Sequence, residues 1–104
     1  MLDYIKSAAE VQAEAVAAYK RRVTRAIDRH VEDQARALRY NSAAHLAGYT
    51  TSTVTEWQAE AQAFVAWRDA CWMAALDMLA AAQQGGPVPT VAEAIAALPE
   101  WSDS

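Results

Sequence analysis

The 104 residues carry nine Lys and Arg against thirteen Asp and Glu, for a net charge of −4 and a pI near 5.0. A chain this short fits one domain, 1–104, and its acidic balance argues against a general nucleic-acid binder. Hydrophobic residues make up 54% of it, but much of that is alanine. Alanine favours helix while burying little area, so a few large side chains must form the core and a homo-oligomer or hetero-complex is expected.

From Leu2 to about Leu38 there is no Gly or Pro, and Ile5, Val16, Tyr19, Val23, Ile27, Val31 and Leu38 recur near helical spacing. This predicts one helix over about 3–38. Such a helix would span about 50 Å, more than a compact domain of this size needs, so residues 1–25 are expected to project or to pair, with a partner or as a coiled coil. The alanines and Gln12 in its seam favour a partner over a self-sufficient coiled coil.

The segment YNSAAHLAGYTTST, Tyr40 to Thr53, breaks the pattern. Asn41 or Ser42 can cap a short helix over about 42–48, and Gly48 permits the turn that ends it. Thr53 and Glu56 then have capping-box spacing, which predicts the start of a second long helix over about 54–83. Trp57, Ala61, Phe64, Trp67, Cys71, Trp72, Ala75, Met78 and Leu79 form its wide apolar face. Gly85, Gly86, Pro87 and Pro89 end it. Thr90 and Glu93 repeat the capping-box spacing before a fourth helix over about 91–98, which Pro99 stops. With no strand pattern anywhere, the fold class is all-α: a long helical hairpin with two short helices closing its ends.

No run of 18 apolar residues exists and the N-terminus lacks a secretory pattern, so neither a membrane span nor export is expected. The single Cys71 has no intrachain disulfide mate, which fits synthesis in the cytosol and a small buried hydrophobe rather than a reactive thiol. His30 and His45 lack a second His or Cys at metal-ligand spacing, and no phosphate loop or nucleophile elbow occurs. No catalytic residue, metal or cofactor is therefore assigned. His30, near the seam of the first helix, is expected to be a hydrogen-bonded core histidine.

Trp57 to Trp72, WQAEAQAFVAWRDACW, crowds three of the four tryptophans and the only phenylalanine into one helical stretch. Phe64, Trp67 and Cys71 are expected in the core, whereas Trp57 either staples the preceding turn or stands exposed as an anchor. Arg68 and Asp69 are adjacent and should not face each other, so Arg68 is expected to reach Glu60, Asp77 or a carboxylate of the first helix. The candidate partner-binding residues are Trp57, Arg68, Asp69, Trp72 and Trp101.

Lys20 to Arg39 holds seven bases against Asp28, Glu32 and Asp33, whereas everything after Arg68 contains five acids and no base. Arg21, Arg25 and Arg29 repeat on one helical face and form the alternative candidate, a surface for a host-directed regulator that binds a bacterial protein or nucleic acid. Against nucleic acid, Arg29 with Asp33 and Glu32 with Arg36 have the spacing of intrahelical pairs. The acidic C-terminal half is another possible partner for the stripe, within one chain or between subunits.

Tyr40-Asn41-Ser42, Tyr49-Thr50-Thr51-Ser52, Trp57-Gln58-Ala59-Glu60-Ala61, the WRDACW run and Leu98-Pro99 with Trp101 together resemble a pattern of small helical tail-associated or tail-fibre assembly proteins of tailed bacteriophages and prophages. The resemblance spans about Ile27 to Trp101 and leaves the first 25 residues unmatched. It implies a non-enzymatic protein made in the host bacterial cytoplasm that binds a tail or tail-fibre component. Retention in the virion tail and release as an assembly chaperone both stay open. Similar sequences continue past the Leu-Pro element into a Trp-Pro ending, whereas Ser-Asp-Ser follows Trp101 here, so a shortened docking tail is expected.

Overall fold

A computed structural model describes residues 6–102. The chain forms α1 (Ala8–Ala37), α2 (Ala43–Ala47), a 3₁₀ segment (Gly48–Thr51), α3 (Thr55–Gln83) and α4 (Val91–Ala96), with no strand among the described residues. The all-α hairpin expected from the sequence is the fold observed. Its first helix, expected from about residue 3, begins instead at Ala8, where the Ser7 hydroxyl accepts the Glu10 amide at 3.1 Å. The part of that expectation covering residues 3–5 lies outside the described residues.

Antiparallel packing of α1 and α3 makes a rod with extents of 69 × 23 × 20 Å. Gln12 donates to the Ala82 carbonyl at 3.4 Å near one end, His30 lies against Trp67 in the middle, and the Tyr40 hydroxyl donates to Glu60 at the other end. From Gln12 onward α1 therefore runs beside α3, while its outer side, including Val11 at 54% exposure, is uncovered.

The core residues of α1 are Tyr19, Val23, Ile27, Val31 and Ala35, spaced strictly by four. Each step of four overshoots a full turn by about 40°, so the buried stripe winds about 160° around the helix between Tyr19 and Ala35. A single straight neighbour cannot cover such a stripe. Both α3 and α4 pack on α1, with α2 against its C-terminal part. On the opposing helix Ala61, Phe64, Trp67, Cys71, Ala75 and Ala82 are buried. The Tyr19 hydroxyl is enclosed without a hydrogen-bond partner, and burial pushes its pKa up.

After α3 the chain turns back along the rod. Thr90 and Glu93 form the expected capping box, each side chain bonding the other residue's amide at 2.9 and 3.1 Å. The Thr90 amide and hydroxyl hold the Glu93 carboxyl below the usual range. α4 is shorter than expected, ending at Ala96. Leu98 is buried, and the Pro99 carbonyl accepts the Trp67 indole N–H at 2.8 Å and lies 3.9 Å from Cys71 Sγ. Burial raises the Cys71 thiol pKa, in keeping with its reading as an inert core residue.

α2 ends at Gly48 as expected, and the φ of −64° at this C-cap carries the chain straight into the 3₁₀ segment. Two local expectations fail. Thr53 and Glu56 form no capping box, because α3 starts one residue later with Val54 at its N-cap, and the Ser52 hydroxyl takes the Val54 amide at 3.0 Å instead. The intrahelical pairs Arg29–Asp33 and Glu32–Arg36 are absent. Among the described residues the ion pairs are Lys6–Glu14 at 2.7 Å and Arg68–Asp69 at 3.0 Å. Glu32 turns to α2 instead, and both its carboxylate oxygens accept the Ala43 amide, at 3.0 and 3.1 Å. A carboxylate at a helix start satisfies an orphan donor and opposes the positive end of the helix dipole.

Candidate functional site

The reversal between α1 and α3 is built by backbone chemistry. The Arg39 amide bonds the Arg36 carbonyl at 2.9 Å and the Tyr40 amide bonds Ala35 at 3.1 Å, which is the two-bond arrangement that closes a helix on a left-handed residue. Arg39 occupies that position with φ 74°. Ser42 then caps α2 by accepting the His45 amide at 3.0 Å, and Leu46 is fully buried. Gln62 of α3 donates to the Thr50 carbonyl at 3.3 Å, holding the 3₁₀ segment on α3.

These restraints bring four aromatic side chains together. The Tyr49 ring lies 5.6 Å from Tyr40, 5.4 Å from His45 and 5.8 Å from Trp57, the last two edge-on. They line an open cleft of about 520 Å³ with Leu38, Arg39, Asn41, Glu56 and Glu60. The Tyr40 hydroxyl donates to Glu60 Oε1 at 2.7 Å. Burial first, then the Glu60 hydrogen bond and charge, push the Tyr40 pKa up to about 12. Trp57 packs on Tyr49 of the turn, as the first of its two sequence readings expected, and remains 49% exposed.

The other candidate residues fall in different places. Arg68, Asp69 and Trp72 share the outer shoulder of α3, about 16 to 22 Å along the axis from Trp57. Contrary to expectation, Arg68 and Asp69 pair with each other, Nε–Oδ1 and Nη2–Oδ1 both at 3.0 Å. Neither Glu60, Asp77 nor a carboxylate of α1 reaches Arg68. Its long side chain bends along the helix surface where a shorter one could not, and the pair is exposed enough to contribute under about 1 kcal/mol. Trp72 is half-buried against the core. Met73 and Leu76, beside it, are 59% and 54% exposed.

Trp101 is on the other side. Its ring lies edge-on to Trp67 at 5.9 Å and 6.4 Å from Phe64, so the expected docking tail is committed within the chain through Trp101. His30 tilts against Trp67 at 5.5 Å, half-buried, and has no hydrogen-bond partner among the described residues, contrary to the core histidine expected. A packed ring replaces a bonded one.

Arg21, Arg25 and Arg29 each follow a core position of α1 by two residues, about 200° around the helix, and all three are exposed. No carboxylate among the described residues lies within ion-pair distance of them. No cluster of His, Cys, Asp and Glu among the described residues could hold a metal ion, and no described helix is long and apolar enough to cross a membrane.

The cleft was not singled out in the sequence. Its signal was the density of Tyr40, His45, Tyr49 and Trp57 around a turn, with Glu56 and Glu60 one helical turn apart. No family model matches the chain, and neither a curated protein nor a solved structure matches it. The resemblance to tail-associated proteins rests on the sequence motifs alone.

Proposed function

We propose that this is a non-enzymatic tail-associated protein of a tailed phage or prophage, made in the host cytoplasm, that binds a tail or tail-fibre component and acts as its assembly chaperone. The observation that supports docking is the outer shoulder of α3. Trp72, Met73 and Leu76 fall within an arc of about 100° on that helix, and Met73 and Leu76 are more than half exposed. A chaperone must expose such apolar groups and release them again, and a rigid rod presents them without reorganisation. The Arg68–Asp69 pair borders the shoulder and gives it a polar edge.

The test is co-expression with the neighbouring fibre gene, measuring soluble fibre trimer. Raised soluble yield, lost in a Met73→Glu/Leu76→Glu double variant that keeps its helical content, is the expected result. Unchanged soluble yield would reject the chaperone role.

A second reading is favoured by the exposed Arg21, Arg25 and Arg29, which pair with no carboxylate among the described residues: a regulator that binds a bacterial protein or nucleic acid through this face. Phosphate contacts are strongest at low ionic strength. Absence of DNA and RNA binding there would eliminate its nucleic-acid form.

A further inference from the structure

We propose that the aromatic cleft formed by the reversal after α1, α2, the 3₁₀ segment and α3 is a binding site for an organic cation, an ammonium or guanidinium group held against the wall of Tyr40, Tyr49 and Trp57 by the carboxylates of Glu56 and Glu60. The cleft lies at the end of the rod, away from the α3 shoulder, and the proposal does not depend on tail docking.

Four observations carry it. The cleft, at about 520 Å³, has the size of a small-ligand or side-chain site. Tyr40 and Trp57 each pack on Tyr49, at 5.6 and 5.8 Å, so the three rings form one aromatic wall of the cleft, and electron-rich ring surface attracts cations. Glu60 Oε1 is engaged by Tyr40, but its Oε2 and both carboxylate oxygens of Glu56 have no hydrogen-bond or ion-pair partner among the described residues. Finally, Arg39, which lines this same cleft, holds φ 74°, a left-handed backbone that an arginine adopts only at a cost.

The alternatives fit worse. An anion would meet the carboxylates of Glu56 and Glu60 beside Arg39 and His45. A neutral apolar group would strip water from Glu56 and Glu60 without replacing it. A cation satisfies the carboxylates and uses the rings together.

The experiment is a titration of the full chain, followed by tryptophan fluorescence and by amide and indole NMR shifts. The probes are N-acetyl-arginine methylamide, tetramethylammonium and N-acetyl-norleucine methylamide. Saturable binding of a cationic probe is expected, with shifts centred on Tyr49, Trp57 and Glu60 and the fluorescence change lost in Trp57→Phe. Glu60→Gln, which keeps an acceptor for Tyr40, and Glu56→Gln, which disturbs no bond, should each weaken binding by about tenfold. Glu100→Gln, outside the cleft, should leave it unchanged. Binding of tetramethylammonium as tightly as the arginine probe would identify a free small cation as the ligand, and preference for the arginine probe would identify a side chain of a polypeptide. No saturable binding of either cation up to about 10 mM, equal binding of norleucine, or indifference to both Glu→Gln changes would overturn the proposal.

Discussion

Both long helices end in the same pair of hydrogen bonds, yet they fill the left-handed position differently. At the end of α3, Gly85 donates to Ala82 and Gly86 to Ala81, each at 3.1 Å, and Gly85 has φ 92°. At the end of α1, Arg39 and Tyr40 make the equivalent bonds, and the residue at φ 74° is an arginine. Glycine adopts this backbone without steric cost, whereas a side chain there costs about 1 kcal/mol or more. One end of the rod is thus closed by the residue the backbone prefers, and the other keeps a side chain at the mouth of a cleft. The contrast separates an end that only turns the chain from an end that presents groups to solvent.

The largest effect should come at the glycine end. A Cβ on Gly86 would meet the Ala81 carbonyl oxygen at 2.8 Å, the same atom that accepts the Gly86 amide. Neither partner can move without breaking the turn, so Gly86→Ala should cost about 2 kcal/mol in urea denaturation. A cost near zero would mean that this end tolerates substitution as the arginine end does.

At the cleft end, Glu32→Ala leaves the part-buried Ala43 amide without an acceptor. A loss of about 1–2 kcal/mol is expected, with amide exchange accelerated in α2 before the middle of the rod. Uniform exchange along the chain would show that the carboxylate does not hold this end.

Two smaller changes probe the comparison directly. A Cβ on Gly85 meets nothing within 4 Å, so Gly85→Ala carries only the backbone cost, about 1 kcal/mol. Arg39→Gly should have the opposite sign. It relieves the strained backbone but adds freedom to the unfolded chain, leaving a net gain of about 0.5 kcal/mol. Destabilisation by Arg39→Gly would show that the guanidinium contributes more to the folded state than its backbone costs.

The subtlest test is alkaline titration. The folded pKa of Tyr40 is about 12, above the ordinary value of 10.0, because burial and Glu60 favour the neutral phenol. The folded state therefore retains its proton where the unfolded chain loses it. The stabilisation is fully present below about pH 10 and falls as pH rises through 10 to 12. The difference in unfolding free energy between the wild type and Tyr40→Phe should shrink across that window, and a constant difference would mean that the Tyr40 hydroxyl is neither buried nor bonded to Glu60.

Residue patterns revealed the helices because their causes are local. The Pro and Gly run after Gln83, the Ser42 cap and the Thr90–Glu93 box all act within a few residues. The Thr53–Glu56 pair shows the limit of this logic: the same spacing fails once Val54 takes the cap position and Ser52 supplies the bond. Glu32 shows another. One turn from Arg36 it reads as half of an intrahelical pair, but the chain reversal at Arg39 brings the Ala43 amide within 3.0 Å, and an orphan helix donor in a part-buried place outcompetes an exposed guanidinium. Arg68 and Asp69 erred the other way, since ideal helix spacing does not account for the reach of arginine.

By itself the sequence determined an antiparallel pair of long helices, the identity of the core residues Phe64, Trp67 and Cys71, and the places where helix must stop. Those follow from propensity, periodicity and breakers, all properties of neighbouring residues. Only the tertiary structure decided that Trp101 folds back onto Trp67, that α4 shares α1 with α3, and that Tyr40, Tyr49 and Trp57 converge beside two carboxylates. Each of these joins groups far apart along the chain, and such contacts become favourable only after the rod has formed to hold them in place.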